Sequence, residues 1–111
     1  MQFTQVVYNL INNAVNYAGE DKKVVVKEFT HGENIRIEVT DNGEGIDVDI
    51  LPHIWDRYFK SEKSHRRASV GTGLGLSIVK SVMNMHPGGI YGVITSKGEG
   101  STFYVELPKV I

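Results

Sequence analysis

The chain has 111 residues, 41% hydrophobic and 23% charged, with 12 Lys and Arg against 13 Asp and Glu and no Cys. That length suits one domain with a real core, and the composition is neither disordered nor fibrous. Without Cys there are no disulfides, cysteine zinc sites, iron–sulfur clusters or thiol catalysis, and no apolar run exceeds three residues, which leaves no membrane span or signal core in the sequence.

Residues 3–18 read as a helix, because Phe3, Val6, Val7, Leu10, Ile11, Ala14, Val15 and Ala18 recur at helical spacing, with Gly19 as terminator. Residues 22–29, containing Val24, Val25 and Val26, read as a strand, and His31–Asn34, with Gly32, as a turn. Over 35–41 the pattern alternates: Ile35, Ile37 and Val39 share one face, Arg36, Glu38 and Thr40 the other. A short helix is expected from about Val48 to Tyr58, then a long polar loop over 60–73. A third helix is expected from about Leu74 to Met85, stopped by Pro87 and Gly88. Residues 90–96 and 101–107 form a hairpin turning through Lys97-Gly98-Glu99-Gly100. The order predicts an α+β two-layer sandwich, with about three helices covering one face of a mixed, mostly antiparallel sheet.

The formal net charge of −1 is unevenly spread. Arg57, Lys60, Lys63, Arg66 and Arg67 with the single acid Glu62 give the segment 57–67 a charge of +4, and the remainder carries −5. A basic loop just before a glycine-rich turn suits a phosphate ligand better than a nucleic-acid backbone.

Three features carry chemistry. Gln2, Gln5, Asn9, Asn13 and Asn16 share one face of the first helix, beside Asn12, in a stretch of 19 residues with no charged side chain. Asn is a poor helix former, so such a row suits a partner that takes neutral oxygens, such as Mg2+; an amide-rich face against solvent or another domain is the competing reading. In Asp41-Asn42-Gly43-Glu44-Gly45, the strand alternation points Asp41 at the covered face, where a lone carboxylate needs a donor. An adenine amino group is a candidate donor, with Gly43 and Gly45 allowing a flat ligand close approach; a cap or Asx turn is the alternative. Gly71-Thr72-Gly73-Leu74-Gly75-Leu76 opens the third helix, where exposed N–H groups and the helix dipole attract an anion. It matches neither a Walker motif nor a dinucleotide fingerprint.

Taken together and in order, these features resemble sensor histidine kinases. Residues 9–17 (NLINNAVNY) resemble the asparagine box, 41–45 (DNGEG) the first glycine box, 54–60 (IWDRYFK) the aromatic box and 71–76 (GTGLGL) the second glycine box; 98–108 (GEGSTFYVELP) has the family's closing look. The resemblance implies the Bergerat-type ATP-binding fold, shared with type II topoisomerases, mismatch-repair ATPases and a heat-shock chaperone, with ATP and Mg2+ as cofactors. It implies Asn13 as main metal ligand with Asn9 assisting, and Asn9 and Lys60 at catalytic positions. Asp41 would accept from the adenine amino group, Tyr17 would stack near the ring, and Gly43, Gly45 and Ile46 would border it. Gly71, Thr72, Gly73, Leu74, Gly75 and Leu76 would form the lid, Lys60 and one of Arg66 and Arg67 would reach phosphate, and Ser101 would stand near Asp41. The chain departs from the pattern at Asn16, where many relatives carry Lys or Arg, at Trp55 in place of Phe, and at Pro87.

By the same resemblance the chain supplies the γ-phosphate for autophosphorylation of a histidine on a separate dimerisation domain, and acts through that domain on a response regulator. No nucleic acid or direct membrane contact is implied; the domain is expected in the cytoplasm, with its parent anchored in the inner membrane. His31, His53, His65 and His86 are none of them followed by an acidic residue, unlike a phosphoacceptor histidine. The chain is therefore expected to be a single-domain fragment, 1–111, without the phosphoacceptor domain and upstream strands. Alternatives are a non-catalytic nucleotide-binding regulatory module, an anti-sigma-factor serine kinase and a chaperone-like ATPase.

Overall fold

In a computed structural model, the residues described are 2–18, 23–56 and 75–109. The helical run at the start of the chain forms α1, Gln2–Tyr17, whose apolar stripe buries Val6, Leu10 and Ala14 completely. A second helix, α2, spans Gly75–Met85 and buries Val79, Val82 and Met83. Its C-terminal end is closed by His86, whose Nδ1–H reaches the Val82 carbonyl at 2.9 Å. The helices pack on each other and on one face of a sheet.

That sheet contains β1 (Val24–His31), β2 (Asn34–Asp41), β3 (Ile90–Ser96) and β4 (Gly100–Pro108), in the order β1-β2-β4-β3 with every neighbouring pair antiparallel. Alternation decides what each face holds. Ile37 and Val39 from β2 and Phe103 and Val105 from β4 lie under the helices and form the core with Val6, Leu10, Val79 and Met83. Trp55 packs edge-on against Tyr91 and Phe103, at 4.8 and 5.8 Å between ring centroids, so it fills a packing position. The register sets Asp41 opposite Ser101, and Ser101 opposite Thr95, on the covered face.

The other face is open and carries its own polar assembly. Glu106 is only 4% exposed. Its carboxylate accepts hydrogen bonds from Arg36 Nη1, Asn34 Nδ2 and His31 Nδ1, each at 2.8 Å. Arg36 also bonds Glu38 at 2.7 Å and stacks on Tyr104, its Cζ 3.9 Å from the ring centroid. The bond from Arg36 holds the Glu106 pKa below its ordinary value, against the opposing effect of burial and with help from Asn34 and His31. Burial works against the Arg36 charge, yet the two carboxylates outweigh it and raise its pKa.

The α+β architecture expected from the sequence is present, with two differences. The helix expected over Val48 to Tyr58 is, among the described residues, a run of turns around a 3-10 helix at Leu51–His53. Pro52 has no N–H to continue an α-helical ladder, and the bonds from His53 to Ile50, Ile54 to Leu51 and Asp56 to His53 all span three residues. The described residues thus hold two α-helices rather than three. The second difference is β1, which begins two residues later than expected and is exposed from Val25 to its end, because it lies at the edge of the sheet.

Candidate functional site

The site is assembled at the end of the sheet where β2 leaves the covered face. Asn9, Asn13 and Tyr17 follow one another at four-residue intervals and so line one side of α1. The Nδ2 atoms of Asn9 and Asn13 are buried and make no hydrogen bond. A buried donor left unmade costs about 1–3 kcal/mol, a cost that a bound ligand would offset. A half-turn of the amide exchanges oxygen and nitrogen, so the same positions can offer N–H groups to an anion or oxygens to a hard cation. The donor set therefore fits a metal–phosphate group.

Asp41 ends β2 at 2% exposure. Its Oδ1 accepts the Gly43 N–H at 2.8 Å, an Asx turn, while Oδ2 is shut off from solvent. The turn and the ligand reading thus use different oxygens of one carboxylate. Gly43 is required by close approach: a Cβ there would lie 1.9 Å from the Tyr17 carbonyl oxygen. Gly45 has φ 79° and meets the Ser96 backbone in the same way, with a Cβ 2.3 Å from its carbonyl oxygen. The direction in which a side chain would project is filled by the chain itself, so both glycines let α1 and the β3–β4 hairpin close on the Asp41 loop. Further ties hold that loop: Gly98 N–H donates to the Glu44 carbonyl at 2.6 Å, and Lys97 pairs with Asp47. The hydrogen bond to Asp47 raises the Lys97 pKa.

Ile46 lies in the core, and its N–H donates to Thr95 Oγ1 at 2.9 Å. Ser101, buried beside Asp41, places its Oγ 2.8 Å from the same Thr95 oxygen. Thr95 is the residue sequence reasoning missed. Its signal was available: it shares strand parity with Tyr91 and Val93 and faces Ser101 across the hairpin.

Gly75 is the first residue of α2, with no atom of the described residues within 4 Å of where a Cβ would project, while Leu76 packs against the core. Lys60, Arg66, Arg67, Gly71, Thr72, Gly73 and Leu74 lie outside the described residues, as does the basic segment 57–67. Among the described residues no group of His, Asp and Glu is arranged to hold a metal.

A helix-covered antiparallel sheet with amides on its first helix and a buried Asp at the end of its second strand defines a nucleotide-binding ATPase domain. The chain belongs to the family of histidine kinase-, DNA gyrase B-, and HSP90-like ATPases, which it matches over residues 1–111. It is 40% identical over 103 residues to the sensor-like histidine kinase SenX3 of Mycolicibacterium smegmatis, covering 93% of this chain and 27% of that protein. It is 37% identical over 109 residues to the sensor protein kinase WalK of Staphylococcus saprophyticus, covering 96% of this chain and 18% of that protein. The chain thus spans about a quarter or less of the curated relatives it matches. Among solved structures it resembles the mycobacterial sensor histidine kinase MprB, with TM-score 0.82 and 28% identity over 96% of this chain and 72% of that one.

Proposed function

We propose that the chain is the catalytic domain of a sensor histidine kinase, which holds Mg-ATP and presents its γ-phosphate to a histidine on a separate dimerisation domain. The observation that carries this reading is the pair of buried, unbonded amide donors on Asn9 and Asn13, on a helix whose last residue touches the loop of the buried Asp41. The resemblance to SenX3, WalK and MprB supports it.

In this reading Asp41 accepts from the exocyclic amino group of adenine, with Ser101 beside it and Tyr17 bordering the ring. Asn13 and Asn9 hold the metal, which supplies charge neutralisation at the phosphate oxygens. Backbone N–H groups at the start of α2, from Gly75, receive phosphate. Lys60 and one of Arg66 and Arg67 add positive charge from the segment preceding it. Phosphoryl transfer asks a protein mainly for positioning and electrostatic stabilisation, and these residues supply both. The nucleophile belongs to the dimerisation domain, through which the phosphoryl group passes to a response regulator.

Two measurements test the proposal. Calorimetry should show binding of an ATP analogue in the presence of Mg2+. Incubation with γ-labelled ATP should leave the chain alone unlabelled and should label an added dimerisation domain; stable label on the isolated chain would contradict the division of labour.

A further inference from the structure

Three polar side chains cross the covered face of the sheet in one row: Thr95 on β3, Ser101 on β4 and Asp41 on β2, each opposite the next in register. The hydroxyl of Thr95 stands at a junction. It accepts the Ile46 N–H at 2.9 Å, lies 2.8 Å from Ser101 Oγ, and lies 3.3 Å from the Gly100 carbonyl oxygen.

A hydroxyl has one proton to give. Its possible acceptors are the Ser101 oxygen and the Gly100 carbonyl. The Ser101 contact has the usual length of an O–H···O bond, whereas the contact to Gly100 is longer than such bonds normally are. The lengths favour donation from Thr95 to Ser101 Oγ, although either oxygen of that pair can supply the proton. Ser101 then accepts from Thr95 and is left with its own proton to donate, next to Asp41, which can only accept.

We propose that Thr95 is a positioning residue for base selection. By donating to Ser101, it fixes Ser101 as a donor beside the acceptor Asp41. The pair then matches the edge of adenine, an amino donor next to a ring-nitrogen acceptor. Hypoxanthine and guanine present the reverse, a carbonyl acceptor next to an N–H donor. Such a base sets acceptor against acceptor and donor against donor, and buried polar groups left unpaired are what make discrimination strong. Thr95 also holds the far end of the Asp41 loop through the Ile46 N–H, so the base-facing row and the loop share one anchor.

This inference rests on the nucleotide reading above, and its test separates the two. Titration calorimetry with ADP and with inosine diphosphate, each with Mg2+, is run on the wild-type chain, Thr95→Val and Thr95→Ser. The wild type should prefer ADP. Thr95→Val should lower the ADP-to-IDP affinity ratio about tenfold, the value of one neutral hydrogen bond, with the loss falling on ADP. Thr95→Ser should restore the ratio. Equal weakening of both nucleotides by Thr95→Val, or an unchanged ratio, would overturn the proposal, because a purely structural role moves both ligands together. If the valine variant does not fold, Thr95→Cys, a weaker donor of serine size, should lower the ratio by a smaller factor, and an unchanged ratio there counts equally against it. In a Ser101→Ala background, Thr95→Val should leave the ratio where it is; a further shift would show that Thr95 does not act through Ser101. A wild-type chain that binds neither nucleotide would overturn the nucleotide reading itself, and one that binds both alike would overturn base selection while leaving nucleotide binding standing.

Discussion

The two faces of the sheet use polar side chains of the same kinds and treat them in opposite ways. On the open face Glu106 is almost fully buried yet saturated, with donors from His31, Asn34 and Arg36. Thr40 and Thr102 close on each other at 2.9 Å. On the covered face, at the end of the sheet, Asn9 and Asn13 hold buried donors that the chain does not satisfy. A finished network contributes to the fold; an unfinished one costs stability that a bound ligand would offset. The difference between the faces is therefore a difference of task, and substitutions on each should move different observables.

The largest effect is expected from Glu106→Ala. It removes three hydrogen bonds and leaves Arg36, whose side chain is 12% exposed, with Glu38 as its remaining carboxylate partner. A loss of roughly 3 kcal/mol in urea unfolding is expected, with nucleotide affinity in the folded protein unchanged; a change in affinity would break the division between the faces. A pH titration sharpens the same point. The Glu106 pKa is lowered in the fold, so its contribution is complete above the unfolded value, ordinarily 4.5, and is lost as pH falls through the lower folded value. The unfolding midpoint should fall over that acidic range, and less steeply in Glu106→Gln than in wild type.

On the covered face the signs reverse. Asp41→Asn keeps an oxygen for the Gly43 N–H, so its stability should change by less than about 1 kcal/mol, while ADP binding should weaken on the order of a hundredfold through loss of a charged acceptor. Equal affinity in calorimetry would remove Asp41 from the base site. Asn13→Ala should weaken Mg-ATP binding about tenfold and metal-free nucleotide less; an equal effect on both would count against Asn13 as a metal ligand. The smallest expected effect is Thr40→Val, about 0.5 kcal/mol in stability, with no change in nucleotide affinity.

Local periodicity made much of this legible. The helical stripe of α1 and the alternation of Ile35, Ile37 and Val39 are patterns within one element, and the alternation sufficed to aim Asp41 at the covered face. What escaped depends on partners distant in sequence or on a single missing donor. Pro52 turned an expected helix into turns and a 3-10 segment. The valines of β1 mark a strand but not its place in the sheet; a strand is buried only as far as neighbours cover it, and β1 is an edge. The bond between Arg36 and Glu106 joins positions 70 apart and requires the register of β2 against β4. Thr95 and Ile46 meet across 49 positions, which no window along the chain reveals.

The contact between the Tyr17 carbonyl and the bare backbone of Gly43 has a thermodynamic consequence. With no side chain between them, the end of α1 and the Asp41 loop pack backbone against backbone, so a shift of one would press on the other. On the proposed reading a cation on Asn13 and a base beside Asp41 would sit at the two ends of that joint, and any coupling between them would be equal in both directions. Coupling between a cation and a base that never touch would run through one backbone-to-backbone joint.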